Sequence, residues 1–154
     1  MKQTLLILMA IFSASVFAVN REAMNSYQET IQHRRVLEAE YLWKTMVSTG
    51  FCETSVAALD FTFFTNVKAD AESLAKALSE SYTITVSNSV QEPDYWLIKG
   101  STRPYGKQFS YAQWLAWVDF MVSVGFSNNC VFSTWAAYDR KSKHTWSSES
   151  VEVE

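Results

Sequence analysis

Glycine, proline, cysteine and histidine are scarce in this chain. Its 154 residues hold four Gly, two Pro, two Cys and two His. So few Gly and Pro exclude a linker-rich or low-complexity protein, and the aromatic content of 15% points to a packed core. The two histidines, His33 and His144, show no metal-ligand spacing: there is no HExxH and no CxxC. Neither cysteine lies in a local nucleophile signature, and Gly50, Gly100, Gly106 and Gly125 form no phosphate-cradling loop. No metal, cofactor or catalytic constellation is therefore expected. Basic clusters are also lacking: the formal net charge is −3, which disfavours a phosphate-backbone partner.

No apolar run reaches the roughly 20 residues that span a bilayer. The longest, Leu5 to Phe17, follows Lys2 and ends in Val16-Phe17-Ala18. A basic start, a short apolar stretch and small residues describe a secretory signal peptide. The expectation is that residues 1–18 are a leader, that the mature chain begins near Val19, and that the protein is periplasmic or secreted. Only Lys2 leaves with the leader, so the net charge becomes −4. Export favours a disulfide between Cys52 and Cys130. Strand register opposes one, because Cys52 precedes the first strand while Cys130 lies opposite that strand's far end.

Residues 19–50 contain a helix candidate over Asn25–Thr49, with Gly50 placed to stop it. Its apolar residues include Tyr27, Ile31, Leu37, Tyr41, Leu42 and Met46, with Trp43 and Val47 off the stripe. Residues 51–140 form the main domain. Period-two alternation predicts strands at 58–64, 82–87, 94–101 and 130–138, and helical spacing predicts helices at 69–79 and 110–124. Two βαβ units in series predict an α+β, ferredoxin-like βαββαβ sandwich with an additional N-terminal helix. Arg103-Pro-Tyr-Gly106 reads as a type I turn. Residues 141–154, rich in Ser and Glu, read as a flexible acidic tail.

Alternation places Leu59, Phe61 and Phe63 toward the helices and Asp60, Thr62 and Phe64 outward. For the third and fourth strands the phase stays open: either Trp96 or Tyr95 faces out, and either Trp135 or Phe132. The helix at 110–124 carries more apolar surface than one sheet face requires, with Trp117 and Phe120 beside its main stripe. Either the N-terminal helix covers that surplus or a partner does. Candidate partner-binding residues are Trp96, Trp135 and Asp60 on the sheet, with Trp117 and Phe120 as a competing surface.

The order of these segments resembles the regulator of ribonuclease E activity B family, or RraB-like domain. The matching pieces are the helix 25–49, Gly50-Phe51, LDFTFF, DAESLAKALSES, YTITV, YWLIKGS, and VFSTWAAYD with its Phe132-x-x-Trp135 element. The resemblance runs from about Tyr27 to Asp139. It implies a non-catalytic protein-binding module of ribonuclease inhibitor type. The export signal separates this chain from a cytoplasmic nuclease target, so an inhibitor or immunity-type partner of another protein is the expectation. The alternatives are a ribonuclease regulator that binds a nuclease or RNA, and a small enzyme of unrecognised type.

Overall fold

The computed structural model describes the backbone of residues 2–152 and the side chains of residues 23–152. The leader expectation concerns residues 1–18, whose side chains lie outside that set. Among the described residues no helix is long and apolar enough to cross a membrane. The chain divides into two compact units, residues 1–33 and 34–154. The first is helical from Lys2 onward, within α1 (Lys2–Ser48). The remainder of α1 belongs to the second unit.

The second unit is α+β, with a five-stranded antiparallel sheet ordered β2-β3-β1-β4-β5. Its elements are β1 (Ala57–Thr65), α2 (Lys68–Leu78), β2 (Thr83–Asn88), β3 (Trp96–Ser101), α3 (Tyr111–Ser127), β4 (Val131–Asp139) and β5 (His144–Ser147). Each of the six expected elements from β1 to β4 falls within about three residues of its predicted bounds. The fifth strand was not expected.

Local chemistry fixes the helix ends. At Gly50 (φ 96°) α1 stops in a Schellman motif. Phe51 N–H donates to Met46 C=O (3.0 Å) and Gly50 N–H to Val47 C=O (3.0 Å), while Phe51 and Met46 both enter the core. Ser110 opens α3 with a capping box: its hydroxyl accepts from Gln113 N–H, and the Gln113 side chain accepts from Ser110 N–H.

One sheet face carries the core. Leu59, Phe61, Phe63, Ile98, Phe132, Trp135, Ala137 and Trp146 are buried there with Leu74 of α2, Trp114 and Val118 of α3, and Leu42 and Met46 of α1. Tight packing at this face shows at Gly100, where an added Cβ would run into the Phe61 ring.

Two readings of the sequence, the loose tail and the type I turn, are corrected, and the alternative left open for the cysteines is decided. Residues 141–154 are not a loose tail. Ala137 pairs with Trp146, which is 5% exposed and donates its indole N–H to Thr49 Oγ1 (3.1 Å), and Ser148 and Val151 are buried too. An apolar anchor of that size outweighs the polar composition around it. The cysteines are free. Cys130 sits beside Val131, which pairs with Phe64, so the whole of β1, nine residues long, separates it from Cys52. That distance is about 25 Å at the rise of a strand, far beyond disulfide reach. The turn after β3 closes at Tyr105 N–H to Thr102 C=O (3.0 Å), one residue earlier than expected, so Pro104 is its third residue and not the second that a type I turn favours. Trp43, set off the stripe, packs against Phe51 (6.0 Å between rings), Phe109 (6.2 Å) and Tyr111 (5.6 Å).

The free thiols differ sharply. Cys52 is exposed, and bonds to Ser55 and then Thr54 lower its thiol to about 7. Burial pushes the Cys130 thiol up to about 11. Because the thiolate is the nucleophile, native alkylation should modify Cys52 alone, with a rate that reaches half its maximum near pH 7. A half-maximum near the ordinary value of about 8.5, or equal labelling of Cys130, would contradict these environments.

Candidate functional site

The other sheet face is open. In β1 the paired positions alternate, so Asp60, Thr62 and Phe64 share this face with Ser101, Lys99 and Leu97 of β3. Thr83 and Thr85 continue it on β2, and Thr134, Ala136 and Tyr138 on β4. Ser147 completes it opposite Ala136. The middle of the face is a shallow concavity of about 340 Å³ lined by the hydroxyl residues Thr62, Thr83, Thr85, Ser101, Thr134 and Ser147, with the charged Asp60, Lys99 and Glu149 among them. Its two ends differ chemically. At one, Phe64 meets Tyr95 edge to face (5.7 Å) beside Leu97. At the other lie Arg103, Tyr105, Tyr138 and Arg140.

Asp60 sits between the middle and the arginine end. Arg103 grips its carboxylate through Nε (3.1 and 3.0 Å) and Nη2 (2.7 Å), and Ser101 Oγ donates to it at 2.6 Å. The guanidinium also lies over the Tyr138 ring at 4.2 Å. The hydrogen bond to Asp60, and with it that carboxylate's charge, raises the Arg103 pKa further. The pair is half exposed, so its stabilising effect is small, but it fixes the direction of the Arg103 side chain.

The expected sheet aromatics are not on this face. Trp96 pairs with Thr65, and Trp135 with Phe61, so both point to the helices. Tyr95 flanks β3 on the open side, and Tyr138 takes the outward place on β4. On β4 the reason is a bulge. Thr62 pairs with Thr134 but Phe63 pairs with Phe132, which leaves Ser133 unpaired and shifts the phase by one residue. Phe132 and Trp135 therefore both enter the core, stacked with ring centroids 5.0 Å apart. The Phe-x-x-Trp spacing that supports the family resemblance is thus explained by core packing.

α1 closes over this bulge. Arg35 Nε donates to Phe132 C=O (3.1 Å), its guanidinium lies 5.7 Å from the centre of the Trp135 ring, and Nη1 donates to both Glu38 oxygens (2.8 and 2.7 Å). The Glu38 side chain is 2% exposed, and Arg34 reaches it from the surface at 3.0 Å. Arg35 thus supplies a buried ion pair with Glu38.

On α3, Trp114 is buried and donates its indole N–H to Ala39 C=O of α1 (2.9 Å). Trp117 is half buried, stacks on Trp114 (5.7 Å) and donates to Tyr82 Oη (3.0 Å). α1 covers part of the apolar surplus, and Phe120 (49% exposed) and Tyr111 (38%) remain outside. Of the candidate residues, only Asp60 belongs to the open face. Tyr138, Tyr105 and Arg140 were missed, because the bulge that sets the phase of Tyr138 and the turns that hold Tyr105 and Arg140 leave no periodic mark in the sequence.

No group of three or more His, Cys, Asp and Glu side chains converges in a way that could hold a metal ion among the described residues. No protein-family model matches the chain, and no curated protein matches it either.

Proposed function

We propose that this protein is an exported, non-catalytic protein-binding module, of RraB-like type, that holds its partner on the open sheet face. On this reading β1-α2-β2-β3-α3-β4 is a ferredoxin-like unit, and β5 widens the sheet so that α1 has a surface to cover. The observation that carries the proposal is the asymmetry of the sheet. Three helices seal one face, while the other presents hydroxyls flanked by aromatic residues at both ends, as an interface with a polar centre and aromatic anchors would. The segment Leu5 to Phe17 supports export. A chain that retains its leader in the cell would remove the export part of the proposal and leave the binding part.

The test introduces a long cation into the centre of the open face. Thr85 is exposed, so Thr85→Arg should leave the melting temperature within a few degrees while abolishing recovery of the partner that the wild-type chain captures. Phe120→Ser on α3 should capture the same partner undiminished. Loss of the partner in Phe120→Ser but not in Thr85→Arg would move the site to α3.

A further inference from the structure

Charge is unevenly spread over the second unit. Arg103 lies in the turn after β3, and Arg140, Lys141 and Lys143 in the β4–β5 hairpin, so one end of the sheet holds four of the chain's 13 Lys and Arg residues, while Lys107 of the same turn lays its ammonium over the Tyr82 ring on the helix side (5.7 Å). The two segments adjoin, because Ala57 bridges to Lys107 and pairs with Asp139. Set against Asp60 and Asp139, these four leave a local charge of +2 in a chain whose total is −3, so the rest carries −5. The hairpin tip is held in shape: Asp139 Oδ1 accepts from Lys141 N–H (2.8 Å) and Oδ2 from Ser142 Oγ (2.7 Å).

A pocket of about 560 Å³ opens between the two basic segments. Its walls carry Arg103, Arg140, Tyr105 and Tyr138, and Val56 and Pro104 add apolar surface. Tyr105 is 78% exposed and Val56 47%. Arg103 is preorganised for a second anion: Asp60 occupies Nε and Nη2, Tyr138 stacks beneath the guanidinium, and Nη1 takes no part in the Asp60 bonds.

We propose that this pocket receives an acidic segment of the partner protein, a stretch in which Asp or Glu carboxylates alternate with aromatic or aliphatic side chains. Carboxylates meet Arg140 and Nη1 of Arg103, and the apolar side chains lie between Tyr105 and Val56. A protein segment suits the charge distribution better than a nucleic acid does. A long polyanion would leave the +2 end and run along a surface that repels it, whereas a short acidic segment meets the cations alone. The inference deepens the proposed function by naming the partner's chemistry.

The experiment measures fluorescence polarisation of a labelled peptide of alternating Glu and Phe against the full chain. Three comparisons accompany it: the same peptide with Lys for Glu, a single-stranded oligouridylate, and inorganic phosphate as competitor. The acidic peptide should bind, should weaken as salt rises from about 0.02 to 0.15 M, and should not be displaced by millimolar phosphate. Arg140→Gln and Tyr105→Ala, both at exposed positions, should each weaken binding about fivefold to tenfold, while Lys76→Gln on exposed α2 surface leaves it unchanged. No binding of the acidic peptide overturns the inference, as does equal binding of the Lys peptide, tighter binding of the oligouridylate, displacement by phosphate, or full affinity in Arg140→Gln. If a natural partner is lost from Thr85→Arg but kept by Arg140→Gln, the open-face reading stands and this inference fails.

Discussion

Trp135→Ala should lower the melting temperature by more than about 10 °C, the largest loss expected from any single side chain here. Trp135 is 2% exposed, stacks on Phe132 and lies beneath the Arg35 guanidinium, so truncation empties a site that three elements close. Large-to-small changes of this kind cost about 3–5 kcal/mol. In a domain of this size each kcal/mol moves the transition by about 3–5 °C. The indole N–H of Trp135 has no hydrogen-bond partner, so Trp135→Phe, which removes that donor and keeps a ring, should cost less than half as much. Thermal unfolding of the two variants decides the point. A Trp135→Ala protein that melts like the wild type would show that the side chain is not in the core, and the proposed inward phase of β4 would fall with it.

Glu38→Ala should be nearly as damaging, by a different route. The carboxylate is buried against Arg35, whose side chain is only 12% exposed, and that arginine also holds Phe132 C=O at the bulge. Removing Glu38 leaves a mostly buried guanidinium without its counter-charge, which costs about 3 kcal/mol and commonly more. Arg34, 59% exposed, contributes little, so Arg34→Ala should shift stability by less than about 1 kcal/mol. The double change Arg35→Met with Glu38→Leu removes both charges and should recover much of the loss. Urea unfolding of the three variants tests this order. Equal stability of Glu38→Ala and wild type would mean that α1 does not depend on the pair for its seat on β4.

Most of the architecture was legible because alternation and helical spacing are strong where one face is buried. The run Leu59 to Phe64 announces both its strand and its inward side, and Ser110 with Gln113 marks the start of α3. What was illegible lies where one residue breaks a period. The bulge at Ser133 moves Trp135 inward and brings Tyr138 to the open side, so the most conspicuous aromatic was assigned to the wrong role. The fifth strand is four residues long and sits among serines, and its only signal is Trp146, a large apolar side chain in a polar stretch. Burial of Glu38 leaves no mark in the sequence, since a carboxylate is rarely buried unless paired and its principal partner, Arg35, stands in the polar run Gln32-His-Arg-Arg35.

The central claim is that the partner sits on the open sheet face rather than on α3. Hydroxyl-radical footprinting of the protein alone and in complex with its captured partner tests this directly, because both surfaces carry reactive exposed aromatics. Protection of Tyr95, Tyr105 and Tyr138, with Tyr111 and Phe120 labelled as in the free protein, is the predicted result. Protection of Tyr111 and Phe120, with the three sheet-face tyrosines still labelled, would contradict it.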